Sequence, residues 1–156
     1  MDMNDILDRW RDRLMESETI RSFCRSRCGR EPEIFIGPAA KDPPGERNCP
    51  YILVFPVGKS VGEAAELHSF SLCVGWGVMD GTAGDPVGTV RDSRGTRNLE
   101  GLGNLIRNEL AYASATYPSS VNEVEYECWF FWPQLVGRME ITVEVPRTCG
   151  GFTEEY

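Results

Sequence analysis

The sequence predicts an α+β domain spanning residues 1–156: a mostly antiparallel sheet of four to five strands with two helices packed on one face. Three observations predict it. Residues 67–78, "LHSFSLCVGWGV", alternate with period two. Residues 4–28 and 98–113 carry apolar stripes at helical spacing. Residues 121–132 and 136–145 alternate again, separated by a span of hairpin length. The order helix, strands, helix, strands suits helices set against an antiparallel sheet rather than a parallel βαβ fold.

The first helix is expected from Asn4 to about Cys28. Ile6, Leu7, Trp10, Leu14, Ile20, Phe23 and Cys24 recur at its spacing, and Gly29 supplies the stop. Ser17 or Thr19 offers a point where this helix breaks and is capped again. A short strand, "EIFI" (33–36), precedes a loop punctuated by proline and glycine, and a second strand is expected over 51–57. In the third strand His68, Phe70, Leu72, Val74, Trp76 and Val78 share one face. Ser69, Ser71, Cys73, Gly75 and Gly77 share the other.

The second helix is expected from Asn98 to Ala113 on the stripe Leu99, Leu102, Leu105, Ile106 and Leu110. In the fourth strand Val124, Tyr126, Cys128, Phe130 and Trp132 are expected to face the core, opposite Glu123, Glu125 and Glu127. In the fifth, Met139, Ile141, Val143 and Val145 oppose Arg138, Glu140, Thr142 and Glu144. The turn is placed near Pro133 to Gly137.

Composition narrows the function classes. Hydrophobic residues at 41% and charged residues at 26% describe an ordinary globular chain. No apolar run approaches the ~18 residues of a membrane span. The N-terminus, "MDMNDILDRWRDR", is charged from its second residue and lacks a signal-peptide core, so the protein is expected in the cytoplasm where it is made. There the six cysteines read as reduced thiols. A zinc site on Cys24, Cys28 and Cys49 would need a fourth ligand, and no paired half-site accompanies them. No metal or cofactor is expected. A net charge of −8 argues against gripping nucleic acid by its phosphates.

Chemical motifs are few. Gly58, Lys59 and Ser60 end like a phosphate-binding loop, but Leu53 stands where that loop needs a glycine, and no packed helix follows. The only histidine, His68, is five residues from Cys73 on one strand, so their side chains leave opposite faces and form no catalytic pair. Glu123, Glu125 and Glu127 form a row on one strand face, without the contrast of environments that general acid–base work requires. No catalytic residue is expected.

Two features remain. Residues 79–97, "MDGTAGDPVGTVRDSRGTR", are expected as a long irregular loop, and such loops usually serve a function. Its charged residues Asp80, Asp85, Arg91, Asp92, Arg94 and Arg97 are candidates for contacts with other proteins. The second feature is the sheet face turned from the core, where Glu123, Glu125, Glu127, Glu140 and Glu144 are candidates for an acidic lining. Such a face would let DNA pass without sticking.

The charged helix ending in "SFCRSRCGREPEIFIG", then "CPYILVF", "HSFSLCVGWGV", the long loop, the second helix and "FFWPQLVGRMEITVEV" together resemble the tail terminator proteins of lambda-type long-tailed bacteriophages. The resemblance lies in the order of elements across nearly the whole chain, with no sharp motif. It implies a hexameric ring that caps the tail tube, ends its polymerisation and offers the head-joining surface. The implied partners are copies of the chain itself, the tail tube protein and a head-completion or connector protein, with DNA passing through unbound. The implied location is the virion tail, assembled in the bacterial cytoplasm. Two alternatives stand beside it: another head–tail connector or minor tail component, and a small cytosolic enzyme or ligand-binding domain with residues 79–97 as a lid.

Overall fold

A computed structural model describes residues 2–37, 44–62, 66–80, 88–115 and 120–146, with side chains described for all of these except 114–115 and 120–124. The chain runs through α1 (Met3–Glu16), α2 (Glu18–Cys28), β1 (Glu33–Ile36), a 3-10 turn (Glu46–Asn48), β2 (Tyr51–Ser60), β3 (Leu67–Met79), α3 (Arg94–Ala115), β4 (Ser120–Phe131) and β5 (Gln134–Pro146). The five strands form one sheet in the order β1-β2-β3-β5-β4. Among the described residues, β1 and β2 pair in parallel and the other pairs are antiparallel, which gives the α+β class with a mixed, mostly antiparallel sheet.

The first helical segment is divided at Ser17. Asp2 and Asp5 cap α1 reciprocally, each side chain accepting from the other's backbone N–H. Ser17 leaves the helical region at ψ 106°, ends α1, and accepts the Ile20 N–H at 3.2 Å to start α2. Gly29, at φ 88°, ends α2 in the left-handed conformation that favours glycine. Ser17 is itself buried, so Ser17→Ala strands a helix N–H where water cannot replace the lost acceptor. A loss of about 1–2 kcal/mol is expected in denaturant unfolding. An unchanged midpoint would show that the cap adds nothing.

The core lies between these helices and one row of each central strand. Phe70, Leu72, Val74, Trp76 and Val78 of β3 are buried with Met139, Ile141, Val143 and Val145 of β5. They join Ile6, Trp10 and Leu14 of α1, Ile20 and Cys24 of α2, and Leu99, Leu102, Ile106 and Leu110 of α3 in a single cluster. Trp76 sits at its centre, fully buried, with its indole N–H donated to the Leu99 carbonyl at 2.9 Å. Gly103 of α3 and Gly137 of β5 flank the ring, and a Cβ on either would collide with it. There the missing side chains let helix and sheet close on a tryptophan.

Several boundaries differ from the sequence expectation. β2 continues to Ser60, so Gly58-Lys59-Ser60 is strand, with Gly58 opposite Ser71 after a shift in register. α3 begins at Arg94 rather than Asn98, because Ser93 accepts the Thr96 N–H and caps the helix early. The β4–β5 turn is Trp132-Pro133, tighter than the expected span, and β5 starts at Gln134. Among the described residues, no helix is long and apolar enough to cross a membrane.

Candidate interaction surfaces

Three surfaces gather the chain's unusual side chains. The first is the sheet face turned from the core. The register places Glu125 opposite Glu140, and Glu127 opposite Arg138. Glu144 pairs with Ser69 of β3 on the same face. Arg138 sits within this acidic row: its Nε donates to the Cys73 sulfur at 3.1 Å, and its NH2 lies 3.6 Å from Glu140. Burial raises the Cys73 thiol pKa and Arg138 opposes the shift. Glu123 pairs with Thr142 through its backbone, but its side chain lies outside the described residues. Like charges directly opposite, as at Glu125 and Glu140, cost stability, and one arginine offsets part of that cost.

This face is not acidic throughout. One row further along β4, Trp129 lies opposite Val136, which faces Gly77 and then Tyr51 across the sheet. A Cβ on Gly77 would strike the Tyr51 ring, so the glycine lets the tyrosine lie flat over the strand. Acidic and aromatic halves therefore share one face.

The second surface is the β4 edge, and here the structure corrects the sequence. Phe130 and Trp132 were expected in the core; they are 62% and 75% exposed. Trp129 and Phe131 are exposed as well, at 42% and 65%. The physical reason is position. Among the described residues, β4 is the outermost strand and has β5 as its one neighbour in the sheet. The core-facing row does reach cover at Tyr126, whose ring packs on Trp76 at 5.4 Å and whose hydroxyl donates to Glu100 at 3.0 Å. Beyond Cys128 the aromatic residues are left in the open. A signal was present in the sequence: "CWFFW" is apolar at both parities, so Trp129 and Phe131 fall on the glutamate face and break the alternation.

The third surface is built from the ends of the 79–97 segment. Asp80 is no free contact residue. Its carboxylate accepts the Ser93 hydroxyl at 2.8 Å and the Gly95 N–H at 3.1 Å, joining the end of β3 to the start of α3. Arg94 and Arg97 belong to the first turn of α3 rather than to a loop. Asp92 receives a two-pronged pair from Arg97 at 3.1 and 3.0 Å, which holds its carboxyl below the ordinary range. Arg91 is exposed, and Asp85 lies outside the described residues.

Arg27, near the end of α2, meets Arg94, Arg97 and Asn98 across a cavity of about 490 Å³, with Ser26 and Asp92 completing its wall. An adjoining cavity of about 280 Å³ shares Arg27, Arg94 and Asn98 and reaches Cys28 and Cys49. The Asn98 side chain fixes the junction by donating to the Arg27 carbonyl at 3.2 Å.

The single histidine has a structural place: His68 Nε2 lies 3.4 Å from the Gly62 carbonyl. Cys73 lies on the opposite sheet face, so no thiol–imidazole pair forms. No group of metal-ligating side chains occurs among the described residues. What these surfaces offer is contact chemistry: an aromatic edge, an acidic row and a basic cleft. No protein-family model matches the chain, and no curated protein matches it.

Proposed function

We propose that this chain is a structural assembly subunit that joins copies of itself into a closed ring, acting as a tail terminator of the lambda type. In that role the ring caps a tail tube, halts its growth and presents a surface for head joining. The observation that carries the reading is the run Trp129, Phe130, Phe131 and Trp132, exposed along an open edge strand. Large exposed aromatics gathered on both faces of one edge strand are the kind of apolar surface that marks an interaction site. A long, uncovered edge strand adds unpaired backbone groups to it.

The two sheet edges support a head-to-tail arrangement. Among the described residues, β1 covers β2 along Tyr51–Val54, and no other strand pairs with the later part of β2 on that side. Two different edges suit heterologous contacts, which generate rings when the rotation closes. The acidic row of Glu125, Glu127, Glu140 and Glu144 would then line the opening and keep DNA from adhering.

Mass in solution coupled to negative-stain imaging tests this. Sixfold rings from the wild type are expected. Trp129→Ser with Phe131→Ser, both on exposed positions, should leave the fold intact and weaken association roughly a hundredfold, the scale of two interface aromatics. A wild type that stays monomeric at every accessible concentration, or a double variant that assembles normally, would remove the reading.

A further inference from the structure

We propose that Cys28 and Cys49 form a redox-active thiol pair, in which Cys28 attacks a low-molecular-weight disulfide and Cys49 resolves the product into a reversible Cys28–Cys49 disulfide. This chemistry does not require a ring, so the thiol pair and the assembly reading above stand or fall separately.

The fold brings the two thiols to one place. Both line the cavity of about 280 Å³ between the end of α2 and the start of α3, and both are half-buried and unbridged. Hydrogen bonds hold their segments side by side. Arg30, two residues after Cys28, donates its Nε to the Cys49 carbonyl at 3.0 Å and its NH2 to the Arg47 carbonyl at 2.8 Å. The Glu33 N–H donates to the Pro50 carbonyl at 3.1 Å, where β1 begins to pair with β2. The Cys49 thiol meets the Gly45 carbonyl at 3.6 Å, a weak contact that a side-chain rotation releases.

The two sulfurs differ as an attacking and a resolving thiol should. Cys28 ends α2 beside Arg27, and Arg94 lines the same cavity. Asp80 on that wall is already held by the Ser93 hydroxyl and the Gly95 N–H. The Cys24 hydrogen bond and the Arg27 charge lower the Cys28 pKa, whereas burial raises that of Cys49. Cys24 is poorly placed to resolve. It sits one helical turn from Cys28, where Cβ atoms are about 5–6 Å apart, and a disulfide needs about 3.5–4.5 Å. Cys49 instead follows a 3-10 turn, outside any helix or strand, where the backbone can adjust.

The steps balance as ordinary thiol–disulfide exchange. The Cys28 thiolate attacks one sulfur of a small disulfide R–S–S–R, the S–S bond breaks, and R–S⁻ leaves and takes up a proton. Cys28 is then joined to R–S. Cys49 gives its proton to solvent and attacks the Cys28 sulfur, which forms the Cys28–Cys49 bond and expels the second R–S⁻. Two cysteine thiols are oxidised by two electrons, and one disulfide is reduced to two thiols. The bridge joins the end of α2 to the segment entering β2, alongside the Arg30 contacts.

The test uses the full chain with Cys128→Ser and Cys149→Ser, which removes two competing thiols, and dithiodipyridine as the disulfide. Two molecules of thiopyridone are expected per chain, in a fast and then a slow phase. Non-reducing peptide mapping should show Cys28 bridged to Cys49 with no pyridyl adduct on either, and dithiothreitol should restore both thiols. Cys49→Ser in the same background should release one molecule at the fast rate and keep the adduct on Cys28. Cys28→Ser should leave Cys49 reacting at least roughly tenfold more slowly than Cys28 does. A lasting adduct on Cys28 with Cys49 unmodified, a Cys24–Cys28 bridge, or first reaction at Cys49 would overturn the proposal. The bridged peptide is read with both cavity thiols present, so a serine variant that fails to fold leaves that result decisive.

Discussion

Replacing Trp76 with alanine is expected to cost 3–5 kcal/mol of stability, about the upper range for a buried aromatic. Three features place it high in that range. The ring is fully buried at the junction of β3, β5 and α3, so the whole side-chain area is lost from the core. Its indole N–H is also donated to the Leu99 carbonyl. Most important is what surrounds the ring. Its flanking positions are Gly103 and Gly137, which have no side chains to swing into the void. The cost of a large-to-small substitution grows with the cavity that remains, and here relaxation would have to come from the backbone. In a domain of this size the loss corresponds to a fall of roughly 6–20 °C in the thermal midpoint. A fall of only a degree or two would mean that α3 collapses onto the sheet, contrary to the packing described. The exposed Trp132 makes the control: its replacement by alanine should leave the midpoint nearly unchanged.

Much of this fold was legible because burial writes itself as period. The β3 alternation placed Phe70, Leu72, Val74, Trp76 and Val78 correctly, since a central strand covered on one face admits only one parity. A break near Ser17 or Thr19 was readable because a hydroxyl ahead of a new helical stripe has a definite chemical use, and the structure puts the cap at Ser17. The failures share another cause. Phe130 and Trp132 satisfy the alternation of β4 and still lie outside the core, because period reports which face a residue occupies and not whether a helix covers that face. Asp80 and Arg94 were read as members of one loop. Their true roles, a clamp and a helix start, depend on a contact between the two ends of the segment that local pattern does not encode. The arginine cleft was half visible: Arg94 and Arg97 stood out, but Arg27 comes from a helix ending 66 residues before Arg94. Its contribution is a product of tertiary packing.

The thiols beside that cleft provide a sharp test of its electrostatics. Cys24 and Cys28 lie one turn apart on α2, with Cys24 in the core and Cys28 half-buried. The buried Cys24 keeps its proton and shares it with the Cys28 sulfur; this hydrogen bond, with the nearby Arg27 charge, lowers the Cys28 pKa. Cys49 shares the same cavity, but burial pushes its thiol up to about 11. The sign follows directly. As pH rises, Cys28 loses its proton first, and Cys49 stays protonated until the pH approaches the higher value. Iodoacetamide at mildly alkaline pH should therefore label Cys28 at least roughly tenfold faster than Cys49. The difference in thiolate fraction is larger than that, but the lower-pKa sulfur is intrinsically less nucleophilic. Peptide mapping by mass spectrometry measures both rates in one sample. Arg27→Ala should slow Cys28 without affecting Cys49 comparably. Faster labelling of Cys49 would show that the Cys24 hydrogen bond and the Arg27 charge do not favour the Cys28 thiolate as described.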